Sequence, residues 1–367
     1  MTLSDSAEHI CCLISHLELC MSCRTHNLAE QAESTHDQSS CVKWIDAINF
    51  KLFTDIRVHS ALTGVSFGKM SAKRVVVVTG ASGLLGRAVK AEFDKAGWTC
   101  VGTAFSRAQD GLEKVDLTER DQVEALISKH NPSIVVHSAA ERRPDVVDKR
   151  PREAEVMNVT ATQYLVDACA KQNVFVLYIS TDYVFDGKAP PYKPTCQPNP
   201  LNAYGRLKRE GEKVVLKYPN SGVLRVPILY GQVEQLAESS VTALVEGVRR
   251  HPEPVRMSNY ELRYPTYCPD VAMVIRQISE RHLSDPTFTG VWHWSGADCM
   301  TKFAMATAIA ELFSLPHEHL CADDTPSSGA TRPYDAHLDC TELQSLGFGN
   351  QTSFREGIKA ALQPYFS

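Results

Sequence analysis

No long apolar run and no block of like charge occurs in this sequence. Nothing approaches the roughly 18 consecutive apolar residues of a membrane-spanning helix. Lysines and arginines form no run, and the formal net charge is −5, which argues against a nucleic-acid surface. The first residues include Asp5 and Glu8 but no early lysine or arginine, unlike a secretory signal. Internal repeats and low-complexity tracts are missing too. These absences predict a cytosolic protein with neither nucleic acid nor membrane as a partner.

What is present is ordinary for a globular chain with a sizeable core: 367 residues, 43% hydrophobic and 22% charged. Such a length allows about two domains. The 12 cysteines read as reduced thiols rather than a disulfide framework. Five of them, Cys11, Cys12, Cys20, Cys23 and Cys41, fall in the first 41 residues. Cys20 and Cys23 form a C-x-x-C near His26, and His16, His36 or Cys41 would be the remaining zinc ligands. The second closely spaced ligand pair of a zinc signature is missing, so no metal site is expected. Residues 1–70 show no clear period beyond a candidate amphipathic stretch over 43–58. Met70 stands directly before SAKRVVVVTG. The expectation is a poorly ordered extension over 1–70, with Met70 as an alternative start. His317 and His319 read as loop polars.

From residue 73 the pattern changes. The β-branched run Val75–Val78 leads into a glycine-rich turn and then a helical stretch over 84–96, with Leu85, Val89 and Phe93 four apart. Strands are predicted over 98–105, 133–140, 174–180 and 222–230, and helices over 119–130, 153–172 and around Tyr204. Nearly continuous apolar strands alternating with helices indicate a parallel sheet covered on both faces. The predicted fold is therefore α/β, a doubly wound parallel sheet of the Rossmann kind over 71–230, with a smaller C-terminal lobe over 231–367. Helices near 268–282 and 301–313 belong to that lobe.

Residues 79–86 read TGASGLLG, which sets Gly80, Gly83 and Gly86 between a strand and a helix. Gly80 permits the tight turn, Gly83 lets backbone approach a pyrophosphate, and Gly86 lets helix and strand pack closely. The helix N-terminus adds free N–H groups and a partial positive charge. An NAD site places Asp or Glu at the end of the second strand. Here that strand ends in TAFSRA, and Arg107 suits a 2′-phosphate. NADP(H) is the expected cofactor.

The strand over 174–180 ends in Ser180-Thr181, and ligands meet strand carboxyl ends in such sheets. Tyr204 and Lys208, at i and i+4, share one helix face. Thr181 would orient a carbonyl and Tyr204 would supply its proton. Lys208 is expected to lower the phenol from its ordinary pKa of about 10. Arg142, Arg143, Arg263 and Arg332 are candidate anion contacts.

Taken together, these motifs resemble the extended short-chain dehydrogenase/reductase superfamily. Within it STDYVFDG (180–187), PLNAYGRLK (200–208) and RPYDAHLD (332–339) resemble the dTDP-4-dehydrorhamnose reductase family. AAERRPDVVDKRP (139–151), LRVPILYGQVE (224–234), WHWSGADCMTKFAMATAIA (292–310) and LGFGNQTSFREGIK (346–359) are similar to the β, or regulatory, subunit of methionine adenosyltransferase. The similarity runs from about residue 73 to 362.

That resemblance implies a non-catalytic subunit that binds NADP(H), associates with the catalytic subunit of methionine adenosyltransferase and tunes S-adenosylmethionine synthesis. It implies pyrophosphate contacts from Ser82, Gly83, Leu84 and Leu85, and adenosine-phosphate contacts from Phe105, Ser106 and Arg107. Asp116 and Leu117 would meet the adenine. Ser138, Arg142, Tyr204, Lys208 and Leu224 would lie along the nicotinamide half. Ser106 stands where the family leads one to expect a second arginine. The family's aromatic and basic C-terminal tail, which inserts into the catalytic subunit, is not matched by Gln363–Ser367, so weaker partner binding is expected. The alternative is an NADPH-dependent reductase of a 4-keto sugar nucleotide, with Thr181, Tyr204 and Lys208 as its catalytic set.

Overall fold

The computed structural model describes residues 74–109 and 111–366. The cysteine-rich stretch, the 43–58 helix and Met70 lie outside the described residues. Four strands are buried along their whole length: β1 (Val75–Thr79), β4 (Ile134–His137), β5 (Phe175–Thr181) and β6 (Ser221–Val226). A strand with no wet face needs cover on both sides, and helices supply it. β2 (Thr99–Ala104), β3 (Glu113–Lys114) and β10 (Gly290–His293) complete a seven-stranded sheet of order β10-β6-β5-β4-β1-β2-β3. Every neighbouring pair in it is parallel. The strand order reverses beside β1 and β4, so a crevice opens above their carboxyl ends.

On one face α1 (Leu84–Lys95) packs with α8 (Cys268–Ser284), joining Val89 and Phe93 to Val271 and Ile275. The other face carries α2 (Arg120–His130), α5 (Ala161–Ala170) and α6 (Ala203–Leu216), around Leu126, Leu165 and Val215. Two short helices, α3 (Pro144–Lys149) and α4 (Pro151–Glu155), precede α5. A third core lies in the remaining elements: α7 (Leu244–Val248), α9 (Lys302–Leu312) and α11 (Phe354–Phe366) close over Met257, Tyr230 and Leu320. There β7 (Leu229–Tyr230) pairs with β9 (Thr266–Tyr267), and β8 (Val255–Ser258) with β11 (Leu320–Asp323).

Two predicted elements differ. The strand expected over 222–230 breaks after Val226, because Pro227 has no N–H to continue the ladder, and β7 leaves for the smaller sheet. The helix expected over 153–172 is interrupted by a π turn at Val156–Thr160. Within that turn Asn158 clips the loop after β4, accepting from Glu141 N at 2.8 Å and donating to Glu141 O at 3.0 Å. The sheet's edge strand β10 comes from well beyond residue 230 and sets Trp292 opposite Leu224. His319 is buried rather than loose in a loop, with Nε2 3.0 Å from Gly247 O.

Candidate functional site

A cleft of about 700 Å³ runs along the carboxyl edge of the sheet. Its floor begins at the glycine turn. Gly80 adopts φ +68°, and a Cβ there would lie 2.9 Å from Ala139 Cα. A Cβ on Gly86 would come within 2.2 Å of Gly80 O, so strand and helix touch backbone to backbone. Gly83 caps α1 without any side-chain hydrogen bond to the first turn, and those N–H groups stay available to an anion. Ser82, Leu84 and Leu85 line the same end. Behind the turn, Ser138 donates to Thr79 O at 2.6 Å. His137 bridges Thr79 and Thr162 at 2.8 and 3.0 Å, and burial pushes it down to about 3, so it is a neutral spacer.

The middle of the cleft holds Thr181, Tyr204 and Lys208 together. Asn202 starts α6 by accepting from Gly205 N at 2.8 Å, which aims Tyr204 and Lys208 at the end of β5. The Thr181 hydroxyl donates to Asp182 Oδ1 at 3.0 Å and accepts from Tyr183 N at 3.2 Å. The expected lowering of the Tyr204 phenol is not what this geometry produces. Burial pushes it up, and a hydrogen bond with Thr181 offsets only part of that. Lys208 is itself buried, which pushes it down to about 7. Its ammonium donates to Ile179 O at 2.7 Å and sits 3.9 Å from the Tyr178 ring centre, so its charge is directed at the strand rather than at the phenol. Tyr204 is thus held protonated, in the form that can donate.

One turn further along α6, Glu212 is buried and accepts from Arg225 Nε and Nη2, both at 2.8 Å, and from Ser180 Oγ at 2.6 Å. Arg225 also faces His293 at 3.3 Å, which ties α6, β5, β6 and β10 into one network below the cleft.

At the end of the cleft expected to take the adenosine, Ser106 and Arg107 line the wall, and Arg107 donates to Glu234 at 2.9 Å. Phe105 is 58% exposed at the rim, with Lys114 5.9 Å from its ring centre. Asp116 is engaged with Thr118; Leu117, expected at the adenine, is instead buried in the core and does not line the cleft. Leu224 is a correction: it is fully buried in β6 among core side chains and does not line the cleft.

The outer compartment was only partly read from the sequence. Arg263 and Arg332 line it, as do Asp182, Tyr183, Glu261 and Lys302, which sequence reasoning missed. Asp182 and Tyr183 follow Thr181 directly and were within reach; Lys302 and Glu261 carried no local signal. Arg263 is 4% exposed and donates through Nη1 to Pro333 O at 3.0 Å, while its Nη2 has no partner among the described residues. Burial, with Arg332 and Arg263 nearby, pushes the Lys302 amine down. Burial pushes Asp182 up to about 6. Arg142 and Arg143 lie at the cleft's mouth, where Arg143 pairs with Glu141 at 3.0 Å. Among the described residues no cluster of His, Cys, Asp and Glu is arranged for a metal, and no helix is long and apolar enough to cross a membrane.

The RmlD substrate binding domain family model matches residues 74–367. Methionine adenosyltransferase 2 subunit beta of Bos taurus is 47% identical over 294 residues, covering 80% of this chain and 88% of that protein. The chain belongs to this family. Within the wider RmlD group, dTDP-4-dehydrorhamnose reductase of Aggregatibacter actinomycetemcomitans is 30% identical, covering 76% of this chain and 94% of its own length. The crystal structure of dTDP-4-dehydrorhamnose reductase from Bacillus anthracis, in complex with NADP, superposes with a TM-score of 0.69 at 24% identity, over 80% of this chain and 98% of that one. The beta-subunit family thus shares the reductases' doubly wound sheet, and this member carries the Thr181, Tyr204 and Lys208 arrangement described above.

Proposed function

We propose that this protein is a non-catalytic regulatory subunit that binds NADP(H) and modulates S-adenosylmethionine synthesis by the catalytic subunit of methionine adenosyltransferase, in the cytosol. The observation that carries the reading is the 47% identity to the bovine beta subunit over almost all of the described chain. The cofactor half rests on fit. The backbone contacts at Gly80 and Gly86 leave no room for a Cβ, and the α1 N-terminus is uncapped. In this reading Ser82, Gly83, Leu84 and Leu85 hold the pyrophosphate, Ser106 and Arg107 the 2′-phosphate, and Ser138, Arg142, Tyr204 and Lys208 the nicotinamide half. Phe105 and Asp116 stand nearest the adenine, while Leu117, buried in the core, supports them from behind. Residues 71–230 supply the cofactor half, and 231–367 add Glu261, Arg263, Lys302 and Arg332 to Asp182 and Tyr183 in the outer compartment. When bound, NADPH would supply a hydride donor. What the chain supplies is a protonated phenol and a buried amine.

The test is a pull-down against the catalytic subunit with and without NADP(H), in wild type and Tyr204→Phe. Capture of equal strength in both proteins supports the regulatory reading, and absence of capture overturns it.

A second reading, NADPH-dependent reduction of a 4-keto sugar nucleotide, is favoured by the outer compartment, where Arg263, Lys302 and Arg332 face the Thr181 and Tyr204 pair across one cleft. Tyr204 would donate its proton to the carbonyl oxygen as hydride reaches the carbon. NADPH oxidation with such a substrate, lost in Tyr204→Phe, would establish it.

A further inference from the structure

The segment after β7 crosses from the smaller lobe to the glycine turn, and three arginines hold it there. Arg87 donates to both carboxylate oxygens of Glu238, at 2.8 and 2.7 Å, and to Gln232 O at 3.3 Å. Arg142 donates to Glu238 O at 2.5 Å. Arg107 donates to Glu234 at 2.9 Å. Cross-distances of 3.5 Å (Arg87 to Glu234) and 3.8 Å (Arg107 to Glu238) make the two guanidiniums and two carboxylates one quartet.

Its members are not equivalent. The Glu238 side chain is only 10% exposed, and its partner Arg87 also holds Ser82 O at 2.7 Å inside the glycine turn. That pair is part of the frame. Arg107 and Glu234 are 51% and 56% exposed. An ion pair so open to water is weak. A phosphate dianion makes stronger, charge-assisted and bidentate hydrogen bonds with a guanidinium. Its neighbour Ser106 brings a hydroxyl but no charge.

We propose that Glu234 is the internal counter-ion of Arg107 and sets how strongly the site prefers a 2′-phosphorylated dinucleotide. The proposal rests on the cofactor reading above. A 2′-phosphate must take Arg107 away from Glu234, and the freed carboxylate then stands beside a dianion. A dinucleotide with a free 2′-hydroxyl leaves the pair untouched. Glu234 therefore weakens binding of NADPH and has no effect on NADH.

The experiment titrates NADPH and NADH separately into the full chain at low ionic strength, following binding by calorimetry. Wild type, Glu234→Gln, Arg107→Met and the double variant are compared. Both sites are exposed, so the variants keep the fold. The expected result is NADPH binding about fivefold tighter in Glu234→Gln, the scale of an exposed ion pair, with NADH unchanged. In the Arg107→Met background the Glu234 substitution should tighten NADPH clearly less, since competition for the guanidinium is gone and only carboxylate–phosphate repulsion remains; the double-mutant cycle isolates the pair. Equal tightening for both dinucleotides, no change for either, or an effect undiminished without Arg107 overturns the proposal while leaving the cofactor reading intact. Failure of wild type to bind NADPH at all overturns both.

Discussion

The Lys208 ammonium lies 3.9 Å from the centre of the Tyr178 ring and donates at 2.7 Å to the Ile179 carbonyl. A cation over an aromatic face is partly compensated for lost water, yet burial still pushes this lysine down to about 7. The sequence pair Tyr204 and Lys208 is therefore two buried groups with separate partners, and the phenol stays protonated.

Lysine-selective NMR should find one titration near pH 7, lost in Lys208→Met. The sign of the stability effect follows. Between about pH 7 and the unfolded lysine value near 10.4, the unfolded chain binds the extra proton, so stability rises with pH. Wild type should gain on Lys208→Met by on the order of 3–5 kcal/mol across that window. Denaturant unfolding at pH 6.5 and 9.5 measures this, and a difference that stays flat or shrinks with pH contradicts the assignment.

Gly86→Ala places a methyl group 2.2 Å from Gly80 O. Overpacking of backbone against backbone costs about 1–3 kcal/mol, so the melting temperature should drop by several degrees. The glycine turn opens with it, and NADPH affinity should fall roughly tenfold or more, since about 1.4 kcal/mol is a factor of ten. Calorimetric melting and titration on the same sample check both effects.

Glu212→Gln leaves Arg225 buried at 2% exposure with its counter-charge removed. Breaking a buried pair typically costs about 3–5 kcal/mol. Because Glu212 also accepts from Ser180 next to Thr181, the strand end should loosen too. Replacing both partners, Glu212→Met with Arg225→Met, should cost less than Glu212→Gln alone. A larger loss for the double variant in urea unfolding would refute the account.

Lys302→Met removes one of three cations in the outer compartment. If the sugar-nucleotide reading holds, affinity for dTDP as the probe should fall roughly tenfold, in line with about 1.5–3 kcal/mol for a hydrogen bond to a charged group. Raising the salt concentration should weaken wild type more than the variant. Unchanged dTDP binding would place the phosphates elsewhere.

Much of this was legible in the chain itself. The Val75–Val78 run, the TGASGLLG turn and the Tyr204–Lys208 spacing are local patterns, each set by steric and hydrogen-bonding demands within a few residues. Their order along the chain was enough to predict a doubly wound sheet with a cleft at its carboxyl edge. The structure brings Gly80, Ser82, Gly83, Ser138, Thr181, Tyr204 and Lys208 to that one cleft.

Other features depend on partners distant in sequence. Arg107 reads as a free phosphate ligand until Glu234, 127 residues away, is found on it. Trp292 arrives from beyond residue 230 to cover Leu224, which removes Leu224 from the cleft. Pro227 ends a strand that apolar pattern alone would continue. The protonation of Tyr204 and Lys208 depends on desolvation, which no local spacing encodes. Short-range sterics and periodicity wrote most of the elements, the glycine turn and the chemistry on offer into the chain locally. Which charges meet, which are buried and which remain free for a ligand follow instead from packing between segments far apart in the chain, and no local pattern carries them.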